Sequence, residues 1–206
     1  MSTTRRALFA AAPALLLPAT AHALTAAEQA LVDSAIDYLQ GLTSARGRFV
    51  QTDARGSQTQ GALFLQRPGR ARFEYDAPSS LLVVSDGRVV SVADKRLKTV
   101  NRYFLSQTPL KLFLADEIRF DRGVRITRVT RLADGFEILA EDRTGRTRGR
   151  LALTFGDAPM RLIGWRITDA RGAVTQVRLT SLVRASGFDP ALFRAPFPQP
   201  ATRRAM

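Results

Sequence analysis

Two pairs of adjacent carboxylates, Asp116-Glu117 and Glu141-Asp142, come nearest to general acid–base chemistry in this sequence. A working pair must face one substrate, with environments that push the two pKa values apart. Neighbours on a strand or loop point to opposite sides, so both pairs read as surface charge. Metal and nucleophile chemistry is poorly supplied. The chain has no cysteine and one histidine, His22, which falls in the leader described next. Residues 24–206 therefore lack the commonest zinc, copper and haem ligands and every Ser-His or Cys-His pair. No catalytic residue and no metal ligand is assigned, no cofactor is expected, and an enzyme is disfavoured.

The leader is legible in the first residues. Arg5 and Arg6 form a positive start, residues 7–19 are apolar, and Ala21-His22-Ala23 is a small-x-small cleavage site. This pattern is a secretory signal peptide, with cleavage expected after Ala23. The apolar run is too short to span a bilayer and holds Pro13 and Pro18. Thr4-Arg5-Arg6-Ala7-Leu8-Phe9 also fits a twin-arginine signal, so the export route stays open. The remaining 183 residues suit one domain, 24–206, in a periplasm. With no disulfide, that domain must be stable through its core. The net charge of +13 becomes +11 without Arg5 and Arg6, because residues 1–23 hold no acid. Such a field suits anionic partners, though the arginines are scattered over many strands and read equally as a solvated surface. Export disfavours nucleic acid.

The elements follow from periodicity. Thr25-Ala26-Ala27-Glu28 is a capping box, and Leu31, Ala35, Tyr38, Leu39 and Leu42 recur at helical spacing, predicting a helix over 25–42. From Ser44 the period becomes two. Strands are expected at about 46–54, 59–66, 70–76, 81–85, 88–93, 97–100, 124–132, 135–142, 149–155, 160–168 and 173–184. Turn chemistry separates them, as at Asp86-Gly87, Asp134-Gly135 and Thr144-Gly145. Parity places Ile163, Trp165 and Ile167 on one face, and Val177, Leu179 and Val183 on one face. Asn101 to Gln107 reads as a loop, followed by a short helix with Thr108 as N-cap and Pro109 at its first position.

The central stretch is Gln60 to Pro78. Arg67-Pro68-Gly69 is a turn between two strands. Ala71, Phe73 and Tyr75 face one way; Arg70, Arg72, Glu74 and Asp76 face the other. About ten such strands with one dry and one wet face must curl. The expected fold is mainly β, a curled antiparallel sheet forming an incomplete β-barrel, its concave apolar face covered by an N-terminal helix and a short lid helix. About 25 helical residues cover that face thinly. Periodicity leaves two arrangements open: a packed core, or an apolar cavity beneath a movable lid.

Six motifs in order resemble the outer-membrane lipoprotein carrier family, the LolA-type periplasmic chaperones. They are Gly47-Arg48-Phe49-Val50-Gln51, Gly61 opening the second strand, Arg67-Pro68 with Phe73, Tyr75 and Pro78, Val84-Ser85-Asp86-Gly87, Thr108-Pro109-Leu110, and Phe193 to Pro198. The resemblance implies a cavity that shields the acyl chains of a lipoprotein. It implies uptake from an ATP-driven inner-membrane release complex and delivery to the outer membrane by a monomer. It assigns Arg67 as the lid latch, where the alternative is a turn arginine in solvent. Phe49, Leu63, Leu65, Phe73 and Tyr75 are the expected cavity lining, and Leu110, Leu112 and Phe113 the expected lid; each suits an ordinary core equally. The chain ends soon after Phe197, so a longer C-terminal extension is not expected. The recipient is then either an outer-membrane lipoprotein receptor or the anionic membrane surface itself. A periplasmic lipid or glycolipid binder on the same scaffold is the alternative.

Overall fold

The capping box forms as written: Thr25 Oγ1 accepts from the Glu28 backbone N–H, and Glu28 accepts from the Thr25 N–H at 2.8 Å. It opens α1 (Ala26–Gly41), which buries Val32, Ala35 and Leu39. A computed structural model describes residues 24–120, 124–143 and 149–196; the leader, Thr144-Gly145, Phe197 and Pro198 lie outside them. After α1 come β1 (Ser44–Thr52), β2 (Gln58–Gln66), β3 (Arg70–Tyr75), β4 (Leu81–Asp86), β5 (Val89–Asp94) and β6 (Thr99–Phe104). A short helix, α2 (Leu110–Leu114), separates these from β7 (Val124–Leu132), β8 (Gly135–Asp142), β9 (Gly149–Asp157), β10 (Met160–Asp169) and β11 (Val174–Arg184).

The strands make one antiparallel sheet in the order β6-β5-β4-β3-β2-β1-β11-β10-β9-β8-β7. Two meanders, β1 to β6 and β7 to β11, are sewn together by the β1–β11 pairing. β6 and β7 are the two edges, so the sheet is open and is not a closed barrel. It is nonetheless strongly curled. β3 and β10 stand four strand spacings apart, about 19 Å in a flat sheet. Yet Phe73 of β3 and Trp165 of β10 meet with ring centroids 6.0 Å apart. The concave side holds the main core, with Phe49, Leu63, Leu65, Phe136, Ile138, Leu153 and Phe155 almost fully buried.

Three expectations need correction. The first concerns parity. β10 has a bulge between Leu162 and Gly164, and β1–β11 has one between Arg48 and Phe49. Each extra residue flips the faces beyond it. Leu162 and Trp165 are therefore both buried, and Ile163 drops out of the inward set. Leu182 packs on the core instead of Val183, which is 53% exposed. Glycine serves the close approach: a Cβ on Gly164 would stand 2.2 Å from the Val177 carbonyl oxygen, and one on Gly47 2.2 Å from that of Ser181.

The second concerns residues 97–108. The strand runs over Thr99–Phe104, not 97–100, because it completes its pairing with β5, and a 3-10 turn (Leu105–Gln107) replaces the rest of the expected loop. Thr108 is not an N-cap. Its hydroxyl donates back to the Leu105 carbonyl at 2.9 Å, and Pro109 takes the cap position without a side-chain bond. Gly61 likewise sits inside β2 and does not open it.

The third concerns the second face, which is wet only in part. Over β2 to β6 it carries Phe64, Leu82, Val84, Ala93 and Val100. Phe188, Leu192 and Phe193 of the C-terminal segment cover them, with Phe64 and Phe188 in edge contact at 5.8 Å. Arg72 belongs to this cover: it donates to the Leu192 carbonyl at 3.1 Å and to Glu74 at 3.2 Å. Lys95, then Arg72, hold the Glu74 carboxyl below its ordinary pKa.

The bulge geometry is testable. Gly164→Ala places a methyl against backbone that cannot rotate away, and is expected to cost at least about 2 kcal/mol in denaturant unfolding. A loss under about 0.5 kcal/mol, the ordinary size for surface changes, would mean the β10–β11 approach is looser than described.

The clasp beneath the lid segment

The sheet order forces one unusual connection. β6 and β7 are opposite edges, so the chain after Phe104 must cross the concave side. The lid segment, residues 105–120, does this with a 3-10 turn and the five residues of α2. No isolated helix of that length is stable in water. Its order has to come from the side chains it meets.

Arg67 supplies most of the polar attachment. The turn is anchored from below: Arg67 N–H donates to the Thr43 carbonyl at 2.7 Å, and the buried Ser85 hydroxyl donates to the Gly69 carbonyl at 2.6 Å. Gly69 has φ +75°, and a Cβ there would stand 2.5 Å from Gly87 Cα, so only glycine fits. The Gly69 N–H donates to the Leu114 carbonyl at 2.7 Å. Arg67 Nε donates to the Ala115 carbonyl and Nη2 to the Asp116 carbonyl, both at 2.8 Å. Arg67 Nη1 donates to the Leu39 carbonyl. One guanidinium thus serves carbonyls at the C-terminal ends of both α1 and α2, where helices leave acceptors unpaired and favour positive charge. Burial pulls its pKa below the ordinary value and the Asp116 charge opposes that; an arginine keeps its charge regardless.

A second clasp was not legible beforehand. Gln40, in the last turn of α1, donates from Nε2 to the Asp116 carbonyl at 3.1 Å and accepts the Ile118 N–H on Oε1 at 2.9 Å. Its amide mimics a strand's donor–acceptor pair, so residues 116–118 are tied to α1 as well as to the hairpin. A glutamine on the polar side of a helix carries no signal for this, because its partner is backbone 76 residues away.

Apolar contacts complete the attachment. Phe49 meets Phe73 at 5.5 Å and Tyr75 at 5.2 Å, Phe73 meets Trp165 at 6.0 Å, and Trp165 meets Phe113 of α2 at 5.6 Å. Trp165 is the link between sheet and lid segment. Phe49, Leu63, Leu65, Phe73 and Tyr75 all lie in this core, and none reaches the clefts described below. Phe113 is buried with Leu114, while Leu110 and Leu112 are half-buried against the core. Leu112 borders a cleft of about 230 Å³ under the lid segment, walled by Val124, Ala140 and Leu151. That is smaller than the roughly 300–1,000 Å³ of a site for a drug-sized ligand. Of the paired carboxylates, Glu117 faces Arg119 at 3.2 Å and Glu141 faces Arg125 at 2.9 Å. Among the described residues no cluster of three metal-ligating side chains forms.

The family model for the outer membrane lipoprotein carrier protein LolA matches residues 40–196. The chain belongs to the LolA family. An outer-membrane lipoprotein carrier protein of Chromobacterium violaceum is 26% identical, with 88% of this chain and 91% of that protein aligned. The carrier protein of Azotobacter vinelandii is 35% identical over 55% of this chain and 60% of its own. A crystal structure of a DUF1329 family protein from Desulfovibrio piger superposes with a TM-score of 0.50 at 13% identity, covering 81% of this chain and 96% of that one; it bears on the fold alone. The family and the first two of these relatives are named as outer-membrane lipoprotein carriers.

Two outcomes are expected at the clasp. Gln40→Ala removes two neutral hydrogen bonds, together worth about 1–2 kcal/mol, so lid-segment amides should exchange roughly five- to thirtyfold faster with the Arg67 contacts kept. Unchanged exchange at Ile118 would leave Arg67 as the working clasp alone. Tyr75 donates to Gln51 Oε1 at 2.7 Å, and burial pushes its phenol up to about 12. The fold favours the neutral phenol. Its contribution is full below pH 10 and is lost as pH rises toward 12, on the order of 2–3 kcal/mol. Tyr75→Phe should remove that part of the alkaline loss; an identical alkaline profile would mean the phenol is more open to water than the packing shows.

Proposed function

We propose that the mature chain, residues 24–206, works as one unit in the periplasm after its leader is removed. It takes acylated lipoproteins from an ATP-driven release complex in the inner membrane, shields their acyl chains, and delivers them to the outer membrane. The observation that carries this reading is the clasp. The apolar concave face is closed by a short segment whose polar ties come from Arg67, Gln40 and the Gly69 N–H.

The energetics suit a carrier. Each methylene taken from water is worth about 0.8 kcal/mol, so a free acylated protein aggregates or stays in a bilayer. An acyl chain that lifts the lid segment replaces its apolar contacts on the concave face with others of the same kind. The net gain is then small, which permits release. The four side-chain hydrogen bonds that Arg67 and Gln40 make to residues 115–118 set the bias toward closure, and cargo shifts it. Arg67 is the latch, Leu110, Leu112 and Phe113 move, and Phe49, Leu63, Leu65, Phe73 and Tyr75 form the floor that the chains meet once the lid segment is raised.

The test uses membranes bearing a labelled lipoprotein together with the release complex. The mature chain is expected to yield a soluble one-to-one complex. Absence of that complex, with free lipid recovered on the protein by native mass spectrometry, would replace this reading with a lipid or glycolipid binder. Arg67→Leu is expected to keep the fold and uptake but to slow release, because the closed state that expels cargo is lost. Equal release rates for variant and parent would remove Arg67 from the mechanism.

A further inference from the structure

Many arginines of the sheet are neutralised where they stand. Arg48 pairs with Asp76, Arg72 with Glu74, Arg125 with Glu141 and Arg166 with Glu137. Others, such as Arg46, Arg128 and Arg178, are exposed without an ion pair among the described residues, and the clasp end is set apart by the exposed aromatic side chains beside its cations. Arg88 and Lys111 are exposed and form no ion pair among the described residues, and Arg70 reaches only the Gln66 amide, at 3.3 Å. Asp86 lines the same corner; one of its oxygens accepts the Arg88 and Val89 N–H groups at 2.8 Å, and its charge leaves the three cations Arg70, Arg88 and Lys111 in excess over it.

The same corner exposes the largest apolar side chains of the edge strand. Phe104 is 63% exposed and Tyr103 52%. They are adjacent on β6, so they project to opposite faces of a free edge. Two surface grooves of about 660 and 520 Å³ meet here. The first runs past Phe104, Arg88 and Lys111; the second shares Arg88 and Lys111 and ends at Arg67.

We propose that this corner, Tyr103 and Phe104 with Arg70, Arg88 and Lys111, is a docking surface for an anionic phospholipid bilayer. Aromatic side chains sit at the headgroup level of a membrane, where an apolar ring and a polar rim are both satisfied. Unpaired cations beside them add attraction to anionic headgroups within a Debye length. The surface has both, and it lies against the clasp. Docking there presents the lid segment to the bilayer edge-on. It deepens the carrier reading by naming where the protein meets a membrane, and it rests on that reading for its purpose. It does not rest on it for its test, which needs no cargo.

The experiment is co-sedimentation of cargo-free mature protein with vesicles of phosphatidylcholine, alone or mixed with phosphatidylglycerol. Binding is expected to the mixed vesicles only and to fall with salt. Each juxtamembrane cation is worth about fivefold, so Arg88→Gln/Lys111→Gln should weaken binding about 25-fold. Phe104→Ser should weaken it without changing the salt dependence. Arg46→Gln/Arg128→Gln lowers net charge equally at exposed positions on β1 and β7 that line neither groove, and should change binding less than about twofold at matched salt. Equal loss in both double variants would overturn the proposal in favour of net charge alone. Parental binding by Arg88→Gln/Lys111→Gln and Phe104→Ser would also overturn it, as would capture of a partner strand on β6 with no vesicle binding. A failed lipoprotein transfer assay with intact vesicle binding would sink the carrier reading and leave the surface standing.

Discussion

A charged guanidinium half-buried between two helix ends is the constraint on which the closed arrangement depends. The carbonyls of Leu39, Ala115 and Asp116 would otherwise be left with poorer partners, and Arg67 itself would be a charge withdrawn from water without compensation. Each side solves the other's problem. A lysine could not do the same work, because its compact ammonium lacks a fixed fork that spans carbonyls on two separate segments. The geometry explains why the arginine stands at the first position of a tight turn. The turn holds Arg67 by its own N–H to Thr43 and by the Ser85 bond to Gly69, so the donor arrives on rigid support.

The lid segment is ordered by borrowed stability. Five residues of helix cannot nucleate alone, and no strand partner reaches them. What remains is packing, with Phe113 against Trp165, Leu114 buried and Leu110 and Leu112 half-buried, and the polar clasps of Arg67, Gln40 and the Gly69 N–H. Apolar contacts are non-directional, and any alkyl chain can substitute for them. Hydrogen bonds to backbone carbonyls cannot be supplied by a lipid tail. The two kinds of attachment therefore differ in kind: the packing is non-directional, and the clasps fix where residues 115–118 sit.

The strands were legible because Asp-Gly and Pro-Gly turns punctuate a clean period of two, and most boundaries fall within two residues of those observed. Trp165 reads inward by parity, yet its neighbour Ile163 does not follow, since a bulge adds a residue that no local pattern marks. Gly164 is a trace of it only in hindsight; a glycine in a strand signals a close approach without saying which face flips. Thr108 failed for another reason. Its hydroxyl had two local acceptors to choose from, and the preceding 3-10 turn offered the Leu105 carbonyl first. Arg67 came through resemblance, and its turn chemistry alone allowed a solvent arginine. Gln40 was invisible, because both its partners are backbone atoms placed by tertiary contact.

The outer face was misread in an instructive way. β4 reads Leu81-Leu82-Val83-Val84, an unbroken apolar run, and such a run belongs to a strand buried on both faces. The C-terminal segment provides the second cover, with Phe188, Leu192 and Phe193 seated on Leu82 and Val84. That cover has a consequence for the surface. It occupies the outer face of the first meander, while ion pairs such as Arg166 with Glu137 neutralise much of the second. Exposed aromatic surface and unpaired cations lie together where that cover stops, at the end of β6 beside the Arg67 turn. The distribution of covering segments decides which apolar side chains of the sheet stay exposed.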